Sequence, residues 1–409
     1  MTPAPIEPSL LDAVTRPRDR ARTLPGAAYA SAAVFDWERR HFLDGSWVCV
    51  GRAEELAGPG AQRAVAAGST TILLVRDDRG DLRGWFNACR HRGHELLAPG
   101  TARTARAIRC PYHDWVYGLG GECRATPRFG KDDGTTPEPA EFGLVPARTA
   151  EWQGWVFANV SGDAPPLAAH LGNAAMVVDG YGPARLRAGA RHAYEVAANW
   201  KIVVENYLEC YHCAPLHPEL CRVSPPESGH SYPADPVGNW VGGPLALRDG
   251  AETMSLDGRS RGVPIPGLRR PREVGYAAIL PTLLVSPHPD YVMTHRLEPL
   301  AADRTRIECS WLFPPEAWDR PGFDPAYAAD FWDLVNRQDW AACESVQRNA
   351  ASPGWRQGPF SAWESDVHTV MAAVARGYRT GRLSVDPDPT APAAQSTRAM
   401  TSSETSKFA

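Results

Sequence analysis

Short runs in which apolar and polar residues alternate dominate the chain from residue 45 to 160. The clearest runs are TTILLVRD, GWFNAC and GWVFANV, and Gly, Asp and Pro separate them. Alternation with a period of two predicts half-buried strands, and the separating residues predict turns. We therefore predict an all-β domain of hairpins over residues 45–160, preceded by an N-terminal segment, 1–44.

The pattern changes in the second half of the chain. RHAYEVAANWKIVVENYLECYHC begins as a strand and continues as a helix, residues 275–313 alternate as strands, and YAADFWDLVNRQDWAACESVQRNA and WESDVHTVMAAVARGY have helical periodicity. These patterns predict an α+β domain over residues 161–384, with an antiparallel sheet flanked by helices. Residues 385–409 are small, polar and Pro-rich, which predicts a disordered tail.

Composition narrows the functional classes. The 409 residues carry a net charge of -4, so a basic surface for nucleic acid or an anionic membrane is not expected. No apolar run is long enough to span a bilayer, and the N-terminal pattern does not predict a secretory signal. The nine cysteines are too few and too scattered for a disulfide scaffold. We expect a cytoplasmic protein with reduced thiols at Cys49, Cys123, Cys221, Cys309 and Cys343.

Two Cys/His pairs form the first candidate site. Cys89 and His91 are separated by one residue, and Cys110 and His113 by two. A structural zinc site is one interpretation, although such sites usually pair Cys with Cys and His with His. Mixed pairs suit a binuclear iron–sulfur cluster, in which thiolates hold one iron and imidazoles hold the other.

A second candidate site follows in NWKIVVENYLECYHCAPLHPEL. We expect a helix through Tyr207 to His212 that breaks near Pro215, so that His217 folds back towards His212. Two imidazoles and one carboxylate form the facial triad that binds Fe(II) and leaves positions open for oxygen and substrate. A later helix offers Asp339 or, one helical face away, Asp333. The alternative is that these histidines and acids are ordinary core or surface residues.

The loops CRHRG and CPYHDW resemble the ligand loops of Rieske [2Fe–2S] proteins. This resemblance implies that Cys89 and Cys110 bind the inner iron, that His91 and His113 bind the outer iron, and that His94 is not a ligand. The second half resembles the catalytic domain of Rieske non-heme iron oxygenase α-subunits. The resemblance thus makes residues 45–160 the Rieske domain, 161–384 a helix-grip catalytic domain, and 1–44 a segment that packs on the latter.

The same resemblance favours Asp339 over Asp333. In that family a late helix carries the iron-binding aspartate in a pattern like Asp-x4-Glu-x2-Gln, and Asp339, Glu344 and Gln347 fit it. Glu209, three residues before His212, stands where ring-dihydroxylating members carry Asp. That variant resembles the branch that oxidises carnitine, glycine betaine, choline and proline betaine.

The resemblance implies a terminal oxygenase that uses O2 to hydroxylate or N-demethylate a quaternary or N-methylated amine. Electrons would come from NAD(P)H through a separate flavin/iron–sulfur reductase. The α-subunits of the family form a ring, usually a trimer. Glu209 would bridge His113 of one subunit to His212 of the next and carry the electron-transfer contact.

Two other functions compete with this expectation. One is a Rieske oxygenase that hydroxylates an aromatic acid or a natural product, and the other is an electron-transfer protein with a vestigial second site.

A quaternary ammonium group would be held by aromatic faces through cation–π attraction. The candidates in the catalytic half are Tyr207, Tyr211, Trp240, Trp311 and Trp332. Each is more often a core residue than a pocket residue on base rates, so none is assigned to the pocket.

Overall fold

Ten strands lie in the described part of the first half of the molecule. The computed structural model describes residues 2–129, 138–230, 232 and 237–385. The strands are β1 (Val48–Arg52), β2 (Ala61–Ala67), β3 (Thr70–Arg76), β4 (Leu82–Phe86), β5 (Ala102–Thr104), β6 (Ile108–Arg109), β7 (Val116–Tyr117), β8 (Cys123–Ala125), β9 (Arg148–Trp152) and β10 (Trp155–Asn159). They pair antiparallel in three sheets, in the orders β1-β10-β9, β4-β3-β2-β5 and β6-β7-β8. The predicted all-β domain is confirmed.

The second half contains one six-stranded antiparallel sheet. Its strands are β11 (Arg187–Val196), β12 (Trp240–Ala246), β13 (Glu273–Ile279), β14 (Leu283–Pro287), β15 (Val292–Ala301) and β16 (Arg304–Phe313), in the order β11-β16-β15-β14-β13-β12. The α-helices of the described residues are α1 (Pro8–Val14), α2 (Ala27–Ala30), α3 (Ala32–Glu38), α4 (Leu167–Leu171), α5 (Trp200–Tyr207), α6 (Cys213–Leu216), α7 (Pro218–Val223), α8 (Ala326–Ala350) and α9 (Ser365–Thr380). This sheet with flanking helices confirms the α+β fold class.

Two apolar clusters cover the two faces of the large sheet. On one face, buried residues of α5, α8 and α9 pack with the N-terminal helices in a single core. On the other face, Trp155 and Phe157 of β10 pack against Trp240, Ile279 and Leu283. The β domain therefore lies against the sheet of the α+β domain within one chain.

The N-terminal segment is tied to the second domain through a buried carboxylate. Glu38, at the end of α3, is fully buried and accepts hydrogen bonds from Lys201 Nζ at 2.7 Å and from Trp200 Nε1 at 2.9 Å. The Tyr378 hydroxyl of α9 donates a further short bond to Glu38. Burial lowers the pKa of Lys201, and the charge of Glu38 opposes that shift. One side chain of the N-terminal segment thus joins α5 to α9.

Several other expectations concern the chain as a whole. The five cysteines expected to be thiols are free, and the four besides Cys221 are buried. No helix in the described ranges is long and apolar enough to cross a membrane. Apart from Val385, the predicted tail at 385–409 lies outside the described residues.

The Glu38 contacts predict a large stability effect. We expect Glu38→Gln to lower the free energy of unfolding by about 3–5 kcal/mol, because it leaves the Lys201 ammonium group buried without its counter-charge. Thermal unfolding would measure the change. The control is Asp36→Asn, since Asp36 forms an exposed ion pair with Arg39 and should cost less than about 0.5 kcal/mol. Equal effects of the two substitutions would contradict the structural role of Glu38.

Candidate metal centres

The two Cys/His loops have the same backbone geometry. Cys89 N–H donates to the carbonyl of His94 at 2.8 Å, and Cys110 N–H donates to the carbonyl of Trp115 at 2.9 Å. In each loop the carbonyl of the fifth residue after the cysteine thus accepts the cysteine N–H and closes the turn. The residue before it, Gly93 in the first loop and Asp114 in the second, has a positive φ of 72° and 62°, respectively. The first loop follows β4 and the second joins β6 to β7, so neighbouring sheets present two matching loops side by side.

The predicted sulfur ligands are buried and the predicted imidazoles lie outside them. Cys89 and Cys110 are 3% and 2% exposed, and Tyr117 Oη lies 3.1 Å from Cys89 Sγ. The rings of His91 and His113 are only partly buried, with centroids 4.5 Å apart. This arrangement of inner thiols and outer imidazoles fits a cluster whose two irons have different ligands.

Two aromatic side chains lie beside the predicted ligands. Trp115 is buried and stacks on the ring of His91, with centroids 5.0 Å apart and planes 4° apart. The ring of His94 is exposed, and its Nδ1 lies 2.7 Å from the carbonyl oxygen of Glu95. Nδ1 of His91 is buried and has no hydrogen-bond partner in the described structure, so it is free to bind a metal.

The second set of predicted ligands converges on one point. Asp339 Oδ1 lies 2.9 Å from His217 Nε2 and 3.3 Å from His212 Nε2. One ligand atom from each residue lies within 4.8 Å of the others. His212 precedes α6, His217 lies between α6 and α7, and Asp339 is in the middle of α8. Burial alone would raise the pKa of Asp339, but the hydrogen bonds from the two histidines hold it below its usual value.

The rival carboxylate, Asp333, is engaged elsewhere. It accepts a hydrogen bond from the Tyr194 hydroxyl at 2.6 Å and one from Arg337 Nε at 2.7 Å. Nδ1 of His192 lies 3.4 Å away. The Asp333 carboxylate therefore contacts Tyr194, Arg337 and His192, whereas that of Asp339 contacts His212 and His217. The geometry thus favours Asp339 as the metal ligand.

The outward nitrogen of each candidate histidine ligand has a different partner. Nδ1 of His212 lies 2.5 Å from Glu209 Oε1, whereas Nδ1 of His217 lies 2.7 Å from Gln338 Oε1. Such contacts fix the orientation of a ligating ring. Burial alone would lower the pKa of His212, but its bonds to Asp339 and Glu209 outweigh burial and raise it to about 9. Gln338 was not anticipated from the sequence, although its position next to Asp339 could have suggested it.

The expected helix from Tyr207 to His212 is wrong in its extent. Helix α5 ends at Tyr207, and Glu209 Oε2 accepts the backbone N–H groups of Tyr211 and His212 at 2.5 and 3.2 Å. These N–H groups would otherwise donate to carbonyls four residues earlier in a continuing helix. Glu209 and His212 therefore share a turn and not a helix face. A disulfide between Cys210 and Cys213 closes the same turn.

The later residues of the Asp-x4-Glu-x2-Gln pattern anchor the helix that carries Asp339. Glu344 Oε1 accepts the backbone N–H of Ala197 at 3.1 Å, and Gln347 Oε1 accepts that of Asn199 at 2.9 Å. Residues 197–199 connect β11 to α5. The pattern thus fixes α8 against the segment that leads to the histidines.

A cavity of about 350 Å³ opens beside the three converging side chains. Besides His212 and His217, the aromatic and imidazole rings that line it are Tyr207, His230, Tyr276, His295, Trp332, Trp340 and Trp363. Of the five aromatic candidates, Tyr207 and Trp332 are among them. Trp240 and Trp311 are core residues with no exposed surface, and Tyr211 is 60% exposed. Tyr276 and Trp340 were not anticipated, because a lone aromatic residue in a strand or helix gives no sign of which face it occupies.

Two family models match this chain. Residues 46–142 match the Rieske [2Fe–2S] domain, and residues 183–380 match the catalytic domain of the ring hydroxylating alpha subunit. The chain belongs to the Rieske non-heme iron oxygenases and is an enzyme of that family. The [2Fe–2S] and mononuclear iron cofactors expected from the sequence are confirmed at the level of these two domains.

Relatives of this chain that match between half and most of its length are oxygenase subunits of glycine betaine and carnitine monooxygenases. It is 28% identical over 374 residues to the glycine betaine monooxygenase oxygenase subunit of Chromohalobacter salexigens, covering 85% of this chain and 83% of that one. It is 35% identical over 213 residues to the carnitine monooxygenase oxygenase subunit of Acinetobacter pittii, covering 49% and 54%. The crystal structure of the quaternary ammonium Rieske monooxygenase CntA superposes with a TM-score of 0.76 at 25% identity, covering 92% and 99%.

The converging side chains predict a selective loss of iron. We expect His212→Ala, His217→Ala or Asp339→Ala to remove the mononuclear iron and all turnover, because each takes away one of three ligands. The absorbance and EPR spectrum of the cluster should remain. Iron analysis with these spectra measures both centres in one sample. Asp333→Ala is the matched control on the same helix, and loss of mononuclear iron in it, but not in Asp339→Ala, would show that the ligand choice is wrong.

Proposed function

We propose that this chain is the terminal oxygenase subunit of a monooxygenase that hydroxylates an N-methyl group of a quaternary or N-methylated amine. The observation that carries the proposal is the ring-lined cavity beside His212, His217 and Asp339. A quaternary ammonium group offers no hydrogen to donate, and aromatic faces attract it through cation–π interactions. Hydroxylation of an N-methyl group gives a hemiaminal, which releases formaldehyde and the demethylated amine.

The proposed ligand sets divide the work between the two domains. Cys89, Cys110, His91 and His113 would hold the cluster, and His212, His217 and Asp339 would hold the mononuclear iron. When bound, the cluster supplies single electrons and the mononuclear Fe(II) supplies oxygen activation. The protein contributes the orientation of the two rings through Glu209 and Gln338, and a ring-lined cavity that positions the methyl group.

The surface around the cluster loops supports docking on another subunit. The segment from Cys89 to Trp115 contains five arginines but only two acidic residues, and Tyr112 within it is 54% exposed. At the rim of the cavity, Tyr211 and Trp363 are 60% and 48% exposed and contact each other edge-on at 6.0 Å. Aromatic residues that are exposed in a single subunit are typical of surfaces that become the buried centre of an interface on assembly. These features support a head-to-tail homo-oligomer, which we propose to be a trimer.

We also propose a separate NAD(P)H-dependent flavin/iron–sulfur reductase and a cytoplasmic location. The basic surface of the cluster loops would suit an acidic face of the reductase. The five cysteines expected to be thiols are free, which supports a reducing compartment, whereas the disulfide between Cys210 and Cys213 does not.

A substrate panel tests the proposed reaction. We expect the oxygenase, with a surrogate reductase and NADH, to consume O2 and release formaldehyde with N-methylated amines. The reason is that the ring-lined cavity would hold an ammonium group beside His212, His217 and Asp339. Aromatic acids of similar size serve as the comparison. Coupled oxygen uptake with hydroxylated aromatic products, and no formaldehyde from any amine, would contradict the proposal.

A second prediction concerns Glu209. We expect Glu209→Gln to keep both metal centres and the oligomer, and to slow electron transfer from cluster to mononuclear iron at least about tenfold. The amide keeps one acceptor oxygen but loses the charge, and charge-assisted hydrogen bonds are about twice as strong as neutral ones. Stopped-flow absorbance of the reduced cluster, with O2 and substrate present, measures this step.

The control for Glu209→Gln is the reduction of its cluster by the reductase, which should stay near the wild-type rate. If the cluster is reoxidised at the normal rate and product forms normally, Glu209 is only a packing residue of its turn.

A further inference from the structure

One face of α8 carries a cluster of side chains that the two candidate metal centres do not use. Asp333, Arg337 and Trp340 follow one another at intervals of four and three residues, so they share a face of the helix. Tyr194 of β11 lies against this face, with its ring centroid 5.9 Å from that of Trp340. Tyr194 is not among the described residues that line the cavity, whereas Trp340 is. The face therefore connects a ring of the cavity wall to a tyrosine outside the cavity.

Trp340 is the inner end of this connection. It directly follows the candidate ligand Asp339 in the chain and is 8% exposed. Its Nε1 is shielded from solvent and has no hydrogen-bond partner in the described structure. A tryptophan that loses one electron becomes acidic at this nitrogen, but here no base accepts the proton. The oxidised ring therefore stays a cation radical, which withdraws an electron from the next ring.

Tyr194 is the outer end, and its proton has an acceptor. The Tyr194 hydroxyl donates to Asp333 at 2.6 Å, and Arg337 Nε donates to the same carboxylate at 2.7 Å. Burial alone would raise the pKa of Asp333, but the hydrogen bonds from Arg337 and Tyr194 lower it, so the carboxylate is ionised. The side chains of Asp333 and Arg337 are 25% and 67% exposed. Tyr194 can thus lose an electron and a proton together at the protein surface.

A second Tyr–Asp pair, near the start of α8, gives a rival connection. Trp332 Nε1 donates to the Tyr291 hydroxyl at 2.8 Å, and the ring of Tyr291 lies 6.2 Å from that of Tyr327. The Tyr327 hydroxyl donates to Asp290 at 2.5 Å. However, Asp290 is 1% exposed and already accepts hydrogen bonds from two other hydroxyl groups. The carboxylate that would take the proton lies in the core, so the geometry favours the pair at the surface.

The cavity needs such a connection because its rings are easily oxidised. Tyr207, Tyr276 and Trp332 line the same cavity as the proposed iron ligands, where oxygen would be activated. When oxygen is activated and no substrate is oxidised, these rings are targets for the remaining oxidising equivalents. Electron tunnelling falls off steeply with distance, so transfer between rings in near contact is fast. A chain of rings that delivers an electron from the surface therefore removes the oxidant before it modifies the wall.

We propose that Trp340 and Tyr194 form an exit route for oxidising equivalents, which protects the cavity when no substrate is oxidised. One electron passes from Tyr194 through Trp340 to the iron site, which is reduced by one electron, and the phenol proton of Tyr194 moves to Asp333. A low-molecular-weight thiolate then returns one electron to the tyrosyl radical and becomes a thiyl radical, while Asp333 returns the proton. The route is independent of which substrate the cavity binds, so it goes beyond the proposed reaction.

Rapid-freeze EPR of the holoenzyme tests the route apart from product formation. The reduced enzyme is mixed with O2 without substrate or thiol. We expect a tyrosyl radical, identified by the change in its hyperfine splitting when the tyrosines are ring-deuterated, and its loss in Tyr194→Phe. The control is Tyr181→Phe, which should keep the signal because Tyr181 packs on the opposite face of the large sheet. Absence of the radical from the wild type, or an unchanged radical in Tyr194→Phe, would overturn the proposal, and so would its loss in Tyr327→Phe alone.

A further variant and a second measurement test the relay and the protection. Trp340→Phe should lose the tyrosyl radical although Tyr194 is intact, and an unchanged signal would overturn the relay through Trp340. Peptide mass spectrometry after repeated reduction and exposure to O2 without substrate measures damage to the cavity. We expect oxygen insertion into Tyr207 and Trp332 to be greater in Tyr194→Phe than in the wild type and Tyr181→Phe. Tyr194→Phe should keep both metal centres and normal turnover with substrate. Damage at the wild-type level in Tyr194→Phe would overturn the protective role.

Discussion

The convergence of two imidazoles and one carboxylate is the constraint on which the second domain depends. Asp339 Oδ1 lies within 3.3 Å of the Nε2 atoms of both His212 and His217. No single helix supplies all three, because the histidines stand in turns on either side of a four-residue helix and the aspartate in a helix of 25 residues. Their positions therefore depend on how α8 lies against the segment that contains α5, α6 and α7.

The contacts of α8 show how that relation is kept. Glu344 and Gln347 bind backbone N–H groups just before α5, one and two turns beyond Asp339 along the helix. Asn336, one turn before Asp339, fixes His295 of the sheet. The same helix thus positions the carboxylate, contacts a cavity histidine and contributes Trp332 and Trp340 to the wall. Helix α8 therefore determines both the position of the metal ligand and the shape of the cavity.

The sequence predicted the chemistry of the two sites better than their surroundings. The Cys/His loops and the aspartate pattern are local signals, because each is formed by residues close together in the chain. The end of α5 was mispredicted because the Glu209 side chain takes backbone N–H groups that helical periodicity assigns to carbonyls. Gln338 and Tyr276 were missed because their importance lies in contacts with residues distant in the chain. The sequence could not exclude Asp333 as the iron ligand from geometry, because the hydroxyl that binds its carboxylate belongs to Tyr194, 139 positions away.

The pairing of His217 with Asp339 joins residues 122 positions apart. An ion held by both would act as a cross-link that closes a loop of that length, and clips that close long loops restrict the unfolded chain most. Since the ion binds the folded arrangement, its binding free energy adds to the stability of the domain. Retention of the metal and resistance to unfolding would then be a single property of this domain, so that conditions that strip the ion also loosen the packing of α8 on the rest of the fold.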